Sequence, residues 1–239
     1  MSFLQSIKAI FSALRLLFKS RRALAVIVFA YAGLIGAIYL FVSTREATIF
    51  QLILTAFVAL LAPALFFLLQ AVSVSYANDP TPGVKAMKDC LKLLVVSVPV
   101  LALTFTALYG LNKIHTAVTA ITAVRYLLAA VVAPLLVIQL WVVTSDGGLR
   151  SALKSVRRVV VKTLAPQSMF VYAIGFLFFA VAPYVMLSKT ISIERAWLEW
   201  SFLIARLLLS ALLILLGWVT TVGALSIMSR SSYATVSKE

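Results

Sequence analysis

The 239-residue chain is 63% apolar and 12% charged, with a mean hydropathy of +1.10. Water-soluble domains run near ~45–50% apolar and about 25% charged, so a soluble globular domain is excluded. A single cysteine, Cys90, excludes an internal disulfide framework, and a single histidine, His115, leaves no Cys/His cluster for zinc and little general-base chemistry. Twenty-one lysines and arginines against seven acids give a net charge of +14; in so apolar a chain the anionic partner this requires is expected to be membrane lipid.

The first 22 residues are basic and free of acids. Phe3, Ile7, Ile10, Phe11, Leu14, Leu17 and Phe18 recur at helical spacing. With Lys8 and Arg15 on the polar side, this predicts an amphipathic helix lying in the membrane interface, apolar face down. Ser2 and Gln5 form a candidate capping box. The composition resembles that of a mitochondrial presequence, but similar segments recur inside the chain, so the helix is expected to be retained.

Six apolar runs follow, near 23–42, 48–74, 93–112, 120–143, 168–187 and 200–226. Crossing a bilayer takes about 20 such residues as a helix, and a helix satisfies its own backbone polar groups. The predicted fold class is an all-α integral membrane protein with six transmembrane helices, forming a single polytopic domain over 1–239.

The first run carries Gly33 and Gly36 among Ala30, Ala32 and Ala37, a small-residue face suited to packing on a neighbouring span or on another copy of the chain. The second contains Ala62-Pro63 and then Gln70; the fourth contains Ala133-Pro134 and then Gln139. Pro63, Pro99, Pro134 and Pro183 fall within four of the spans and read as kinks in preference to broken helices around a substrate. Arg125 and Arg206 lie about five residues into the fourth and sixth spans, with Glu199 seven residues before Arg206. Together the three read as an ion-pair clasp between those spans or as an outer-leaflet polar site. Gly217, Thr220, Thr221 and Gly223 give the sixth span a second small-residue face. His115 reads as a solvated loop residue, and Cys90, beside Asp89, as an incidental reduced thiol.

Basic amphipathic segments precede the odd-numbered spans. Their paired cations are each seven residues apart: Lys8 and Arg15, Lys85 and Lys92, Arg150 and Arg157. In the second, Val84, Met87, Leu91, Leu94 and Val98 share a face, and Thr81-Pro82 supplies a helix start. In the third, Ser145-Asp146-Gly147-Gly148 is a break. Beyond it Arg150, Lys154, Arg157 and Arg158 lie opposite Leu149, Ala152, Leu153, Val156 and Val160. The expected unit is a basic interfacial helix plus a helical hairpin, used three times over 1–78, 79–145 and 146–230, with a tail at 231–239.

Charge sets the orientation. Lys8, Arg15, Lys19, Arg21, Arg22, Lys85, Lys88, Lys92, Arg150, Lys154, Arg157, Arg158, Lys162, Arg230 and Lys238 fall on one side of the six spans. Only Arg45, Lys113, Lys189 and Arg195 fall on the other, which predicts both termini in the cytoplasm. Tyr39, Tyr109, Tyr126, Tyr184, Trp197 and Trp200 mark the outer interface, and Tyr76 and Trp141 the inner one.

Two stretches carry a family likeness: Asp79-Pro80-Thr81-Pro82-Gly83-Val84-Lys85-Ala86 and Asp146-Gly147-Gly148-Leu149-Arg150-Ser151-Ala152-Leu153-Lys154. In each, a return span is followed by an acid-containing break, a basic helix and the next span. Over about residues 60–190 the chain resembles a group of bacterial multi-pass membrane proteins. The group includes the membrane domain attached to some glycerophosphodiester phosphodiesterases and related domains of unknown function. The resemblance implies an all-helical domain of the bacterial cytoplasmic membrane. This chain carries no phosphodiesterase domain, so no catalytic residues are implied.

Metal-ligand spacing, a Gly-rich phosphate loop and a Ser/His/Asp set are missing from the sequence, so neither enzyme chemistry nor a cofactor is expected. The leading expectation is a non-catalytic, lipid-associated scaffold or subunit of a membrane complex, partnered by anionic lipid and by protein subunits or further copies. The alternative is a transporter or flippase for an amphiphilic or anionic small molecule or lipid. Nucleic acid is not an expected partner, because the spans already hold the basic segments against the membrane.

Overall fold

A computed structural model of the chain describes residues 3–44, 48–77, 84–113, 119–189 and 195–236. All its regular elements there are helical: α1 (Phe3–Lys19), α2 (Arg21–Ser43), α3 (Ile49–Ser75), α4 (Val84–Lys113), α5 (Thr119–Leu127), α6 (Ala133–Lys154), α7 (Val156–Thr163), α8 (Pro166–Phe176), α9 (Ala182–Ser188) and α10 (Ala196–Val236). A π-helical turn at Leu128–Val132 joins α5 to α6, and another at Leu177–Val181 joins α8 to α9. Six runs are long and apolar enough to cross a bilayer: Arg21–Ser43, Ile49–Ser75, Lys88–Lys113, Thr119–Lys154, Pro166–Ser188 and Trp197–Arg230. The shortest, at 23 residues, measures about 35 Å against a hydrocarbon core of about 30 Å. The described residues are thus all-helical, with six helices long and apolar enough to span a membrane, as the hydropathy predicts.

Local chemistry sets the joints. Ser20 leaves the helical region between α1 and α2, and its side chain accepts from the Ala23 amide at 3.4 Å as an N-cap. Thr48 caps α3 in the same way through Gln51. Gly148, at φ 74° and ψ −179°, bends the chain out of the fourth span into the third basic segment, a conformation only glycine adopts without strain. This is the break that the glycine pair predicts. A second interruption at Ser155 divides that basic segment between the end of α6 and α7. The second basic segment has no joint at all: it continues into the third span as one helix, α4.

The three return spans, α3, α6 and α10, contact one another. The outward spans sit outside them: α2 on α3, α4 on α3 and α6, and α8 and α9 on α10. The first basic helix, α1, lies against α10 and α8, so the first and last described helices are in contact. Small and polar residues share the contacts between helices with large apolar ones such as Leu17, Leu93 and Ile138. Ser6, Ala9, Ala13 and Leu17 of α1 are buried, whereas Phe3, Ile7, Phe11 and Phe18 stay exposed. On α4 the buried positions are Asp89, Leu93, Ser97 and Val100; Leu91, Leu94 and Val98 of the predicted apolar face are exposed. Lipid solvates bulky apolar side chains as well as a protein core does, so close packing by small residues draws the helices together.

Glycines mark the closest approaches. A Cβ on Gly33 would lie 3.1 Å from Leu65 Cδ1, so span one uses Gly33, with buried Ala30 and Ala37, against span two. Gly36 has nothing within 4 Å and plays no part in packing within the chain. In span six, Gly217 meets the backbone and side chains of Phe178 and Phe179, and Gly223 meets the Tyr76 ring. Thr221 lies against Gly175 of span five.

Candidate functional site

The intramembrane arginines are the first residues to place. Arg125, half-buried on α5, donates through Nη2 to the carbonyl of Leu111 in the last turn of α4. Its Nε is buried without a partner. Arg206, half-buried on α10, donates through Nη2 to the carbonyl of Met186 in the last turn of α9 and lies 5.8 Å from the Phe202 ring centre. The last four carbonyls of a helix lack intrahelical donors and carry its negative pole. Each arginine therefore caps the outward helix of its own hairpin. Glu199 is exposed and pairs with neither, so the expected three-residue clasp between spans four and six is not formed. Glu199 lies about 10 Å along the helix from Arg206, and the carbonyls of Met186 and Leu111 are closer ligands.

Polar side chains concentrate at the opposite, basic end of the bundle. Tyr76 and Trp141, expected as interfacial anchors, are both buried. The Tyr76 hydroxyl passes Gly223 of α10 and donates to the Ala13 carbonyl of α1 at 3.3 Å. Burial pushes its phenol well above the usual range. Trp141 Nε1 donates to Ser97 Oγ at 2.8 Å, and Ser97 passes the bond on to the Leu93 carbonyl. Tyr39, Tyr109, Tyr126, Tyr184, Trp197 and Trp200 are exposed.

Arg230 near the end of α10 grips Asp146 bidentately, with contacts of 2.7–3.1 Å, and so fixes the Gly147-Gly148 bend to span six. Asp89, 3% exposed, pairs with Lys92 at 2.8 Å and accepts from Ser145 at 3.5 Å. Lys162 donates to the carbonyl and hydroxyl of Ser229, at 3.1 and 3.4 Å. Burial, with the Arg158 charge beside it, lowers the pKa of Lys162 below the usual lysine value. None of these pairings was expected from the sequence; Asp146 and Asp89 could have been flagged as acids adjoining basic segments.

Lys8, Arg15, Arg150, Lys154, Arg157 and Arg158 are exposed, and Lys92 is partly so. The Lys85 side chain, His115 and residues 79–83 lie outside the described residues. Cys90 is half-buried, with Sγ 3.7 Å from the Ala64 carbonyl of span two.

Two apolar cavities flank the bundle. One, about 460 Å³, is bounded by Ile7, Phe11 and Leu14 of α1 and by Ile174, Phe178 and Leu216 of spans five and six. The other, about 390 Å³, lies among Phe66, Phe67, Leu101, Phe105 and Trp141. A smaller polar cavity of about 210 Å³ at the basic end is lined by Gln139, Lys162, Ala165, Gln167, Ser168, Met228 and Ser229.

Comparison with known proteins finds no matching family model, no matching curated protein and no matching solved structure.

Proposed function

We propose that the protein is a non-catalytic, lipid-associated scaffold or subunit of a membrane complex in the bacterial cytoplasmic membrane, with both termini on the cytoplasmic side. The observation that carries this reading is the use of Arg125 and Arg206. Each guanidinium is engaged by a helix-end carbonyl within its own hairpin, so each serves architecture where a carrier would need it to meet substrate. The exposed cations of the three basic segments then serve to attract anionic lipid, each contributing about 1 kcal/mol near a charged surface. Three repeated units are supported by the return spans meeting at the centre and by α2 leaning on α3, α4 on α6 and α8 on α10, although α4 touches α3 as well. The exposed Gly36 face of span one offers a place for a protein subunit or a second copy.

A transporter or flippase for an amphiphilic or anionic molecule is the second reading. It is favoured by the 460 Å³ apolar cavity between α1 and spans five and six and by the π-helical turns in spans four and five, a feature frequent at functional sites. Native mass spectrometry on protein extracted with its surrounding lipid separates the two. A stoichiometric foreign subunit or a defined homo-oligomer supports the scaffold; a monomer retaining one specific amphiphile supports transport.

A further inference from the structure

The first basic helix presents three different sectors around its axis. Ser6, Ala9, Ala13 and Leu17 are its buried seat. Ile7, Ile10, Phe11 and Leu14 line the cavity of about 460 Å³ shared with spans five and six. Lys8 and Arg15, each one residue beyond a lining residue, are exposed. One residue is a rotation of about 100°, so a cationic edge adjoins the apolar wall.

The cavity runs along the spans. Phe3 meets Phe170 edge-on at 5.2 Å, and the Ala13 carbonyl meets Tyr76 beside Gly223, so α1 lies at the basic end of spans five and six. From there the lining extends to Phe178 on one span and to Leu213 on the other. The lined stretches, Val171 to Phe178 and Thr221 to Leu213, are about 11–12 Å long, against about 15 Å for half of the hydrocarbon core. Spans five and six approach closely at Gly175–Thr221 and Gly217–Phe178, and these residues line the cavity too, so the spans close behind it. Phe11 and Phe178 stay exposed, which opens it toward lipid.

The lining suits only apolar matter. The Thr220 and Thr221 hydroxyls donate to the carbonyls of Leu216 and Gly217 at 2.6 Å each, so both are satisfied within their own helix. An apolar cavity stays dry, and the apolar filler at hand in a bilayer is an acyl chain. The sign of the head group follows from the charges. Helix α1 and span five contain no acid, and Glu199 of span six stands at the opposite end.

We infer that the cavity between α1 and spans five and six holds one acyl chain of an anionic phospholipid, with the lipid phosphate drawn to Lys8 and Arg15. The inference rests on the anionic-lipid association proposed above for the head group alone; the acyl-chain site stands on the cavity.

Full-length protein in neutral detergent is irradiated with phosphatidylglycerol carrying a photoactivatable diazirine on one acyl chain, and the crosslinked residues are mapped by peptide mass spectrometry. Crosslinks should concentrate within 171–178 and 213–221, and unlabelled phosphatidylglycerol should compete for them better than phosphatidylcholine. Ile174→Trp and Leu213→Phe, which fill the cavity, should each cut the labelling by about tenfold, the cost of expelling two methylenes. Lys8→Gln together with Arg15→Gln should lower the preference for phosphatidylglycerol by about tenfold or more, whereas Lys154→Gln together with Arg157→Gln should leave it unchanged. Labelling lost in the filled variants, with the preference unchanged in the Lys8 and Arg15 variant, would overturn the head-group assignment and count against the anionic-lipid reading. Crosslinks spread evenly over the lipid-facing surface of the parent, or labelling unchanged in both filled variants, would overturn the acyl-chain site itself. A dimeric parent that takes no label would give the cavity to a second copy, which also overturns it.

Discussion

The hydroxyl of Tyr172 in span five donates to the carbonyl of Ala130 in span four at 2.7 Å. Ala130 lies four residues before Pro134, and proline has no N–H to return to that carbonyl. The π-helical turn shifts the neighbouring bond, with the Ala133 amide reaching Leu128 five residues back, and Tyr172 supplies the donor that is still missing. Tyr172→Phe should destabilise the protein by about 1–2 kcal/mol. In a Pro134→Ala background, where the backbone donor returns, the same change should cost clearly less. A double-mutant cycle on detergent-solubilised protein measures the difference, and additive costs would refute the link.

The two arginine caps predict parallel behaviour. Arg125→Ala and Arg206→Ala should each lower stability by about 1.5–3 kcal/mol, the range for hydrogen bonds to charged groups. Glu199→Gln should change it little, since that carboxylate is exposed and pairs with neither arginine. Unfolding in mixed micelles reads all three. Intact stability with loss of substrate flux in the arginine variants would favour the transport reading.

Glycine positions separate into two groups. A methyl at Gly175 or Gly223 meets Thr221 or Tyr76 head-on, so alanine there should destabilise by about 1–3 kcal/mol through overpacking. Gly36→Ala meets open space and should be neutral or mildly stabilising in the monomer, by up to about 1 kcal/mol from helix propensity. If Gly36→Ala disperses an oligomer, that face is the contact between copies.

Alkaline pH should act through Tyr76. An unfolded tyrosine ionises near ~10, whereas burial holds the Tyr76 phenol protonated to a higher pH. Above pH ~10 the unfolded chain gives up a proton that the folded one keeps, so folded stability falls as pH rises through that window. Tyr76→Phe should be less stable at neutral pH, having lost the bond to Ala13, and should show a flatter alkaline limb than the parent. Thermal melts between neutral and strongly alkaline pH compare the two slopes.

The span count was legible because runs of apolar residues respond to the thickness of the bilayer, a constraint set outside the protein. The Gly148 bend was legible because glycine pairs have few other uses beside a helix. The interior was harder to read. The α1 pattern puts Phe3, Ile7 and Phe11 on its most apolar side, yet these stay largely exposed, Phe3 edge-on to Phe170 and Ile7 and Phe11 at the 460 Å³ cavity; Ser6, Ala9 and Ala13, which look unremarkable, are the buried positions. Tyr76 and Trp141 sit at sequence positions typical of interfacial anchors, but small neighbours such as Gly223 let them turn inward. Arg125 and Arg206 were visible as charges in apolar runs, yet their acceptors are backbone carbonyls, which leave no mark in a sequence.

The contact between α1 and α10 sets an order of events during synthesis. Of the described helices, α1 is made well before α10, on which it has its main docking surface. Until span six is inserted, α1 lacks the larger part of its seat, having only α8 and α2 beside it, and the Tyr76 hydroxyl lacks the glycine gap through which it reaches Ala13. A chain ended at residue 195 and stalled behind a tether long enough to fill the ribosomal exit tunnel would therefore hold spans one to five, with α1 seated only on α8 and α2. Protease accessibility at Lys8 and Arg15 in such stalled chains, set against the finished protein, would time the closure.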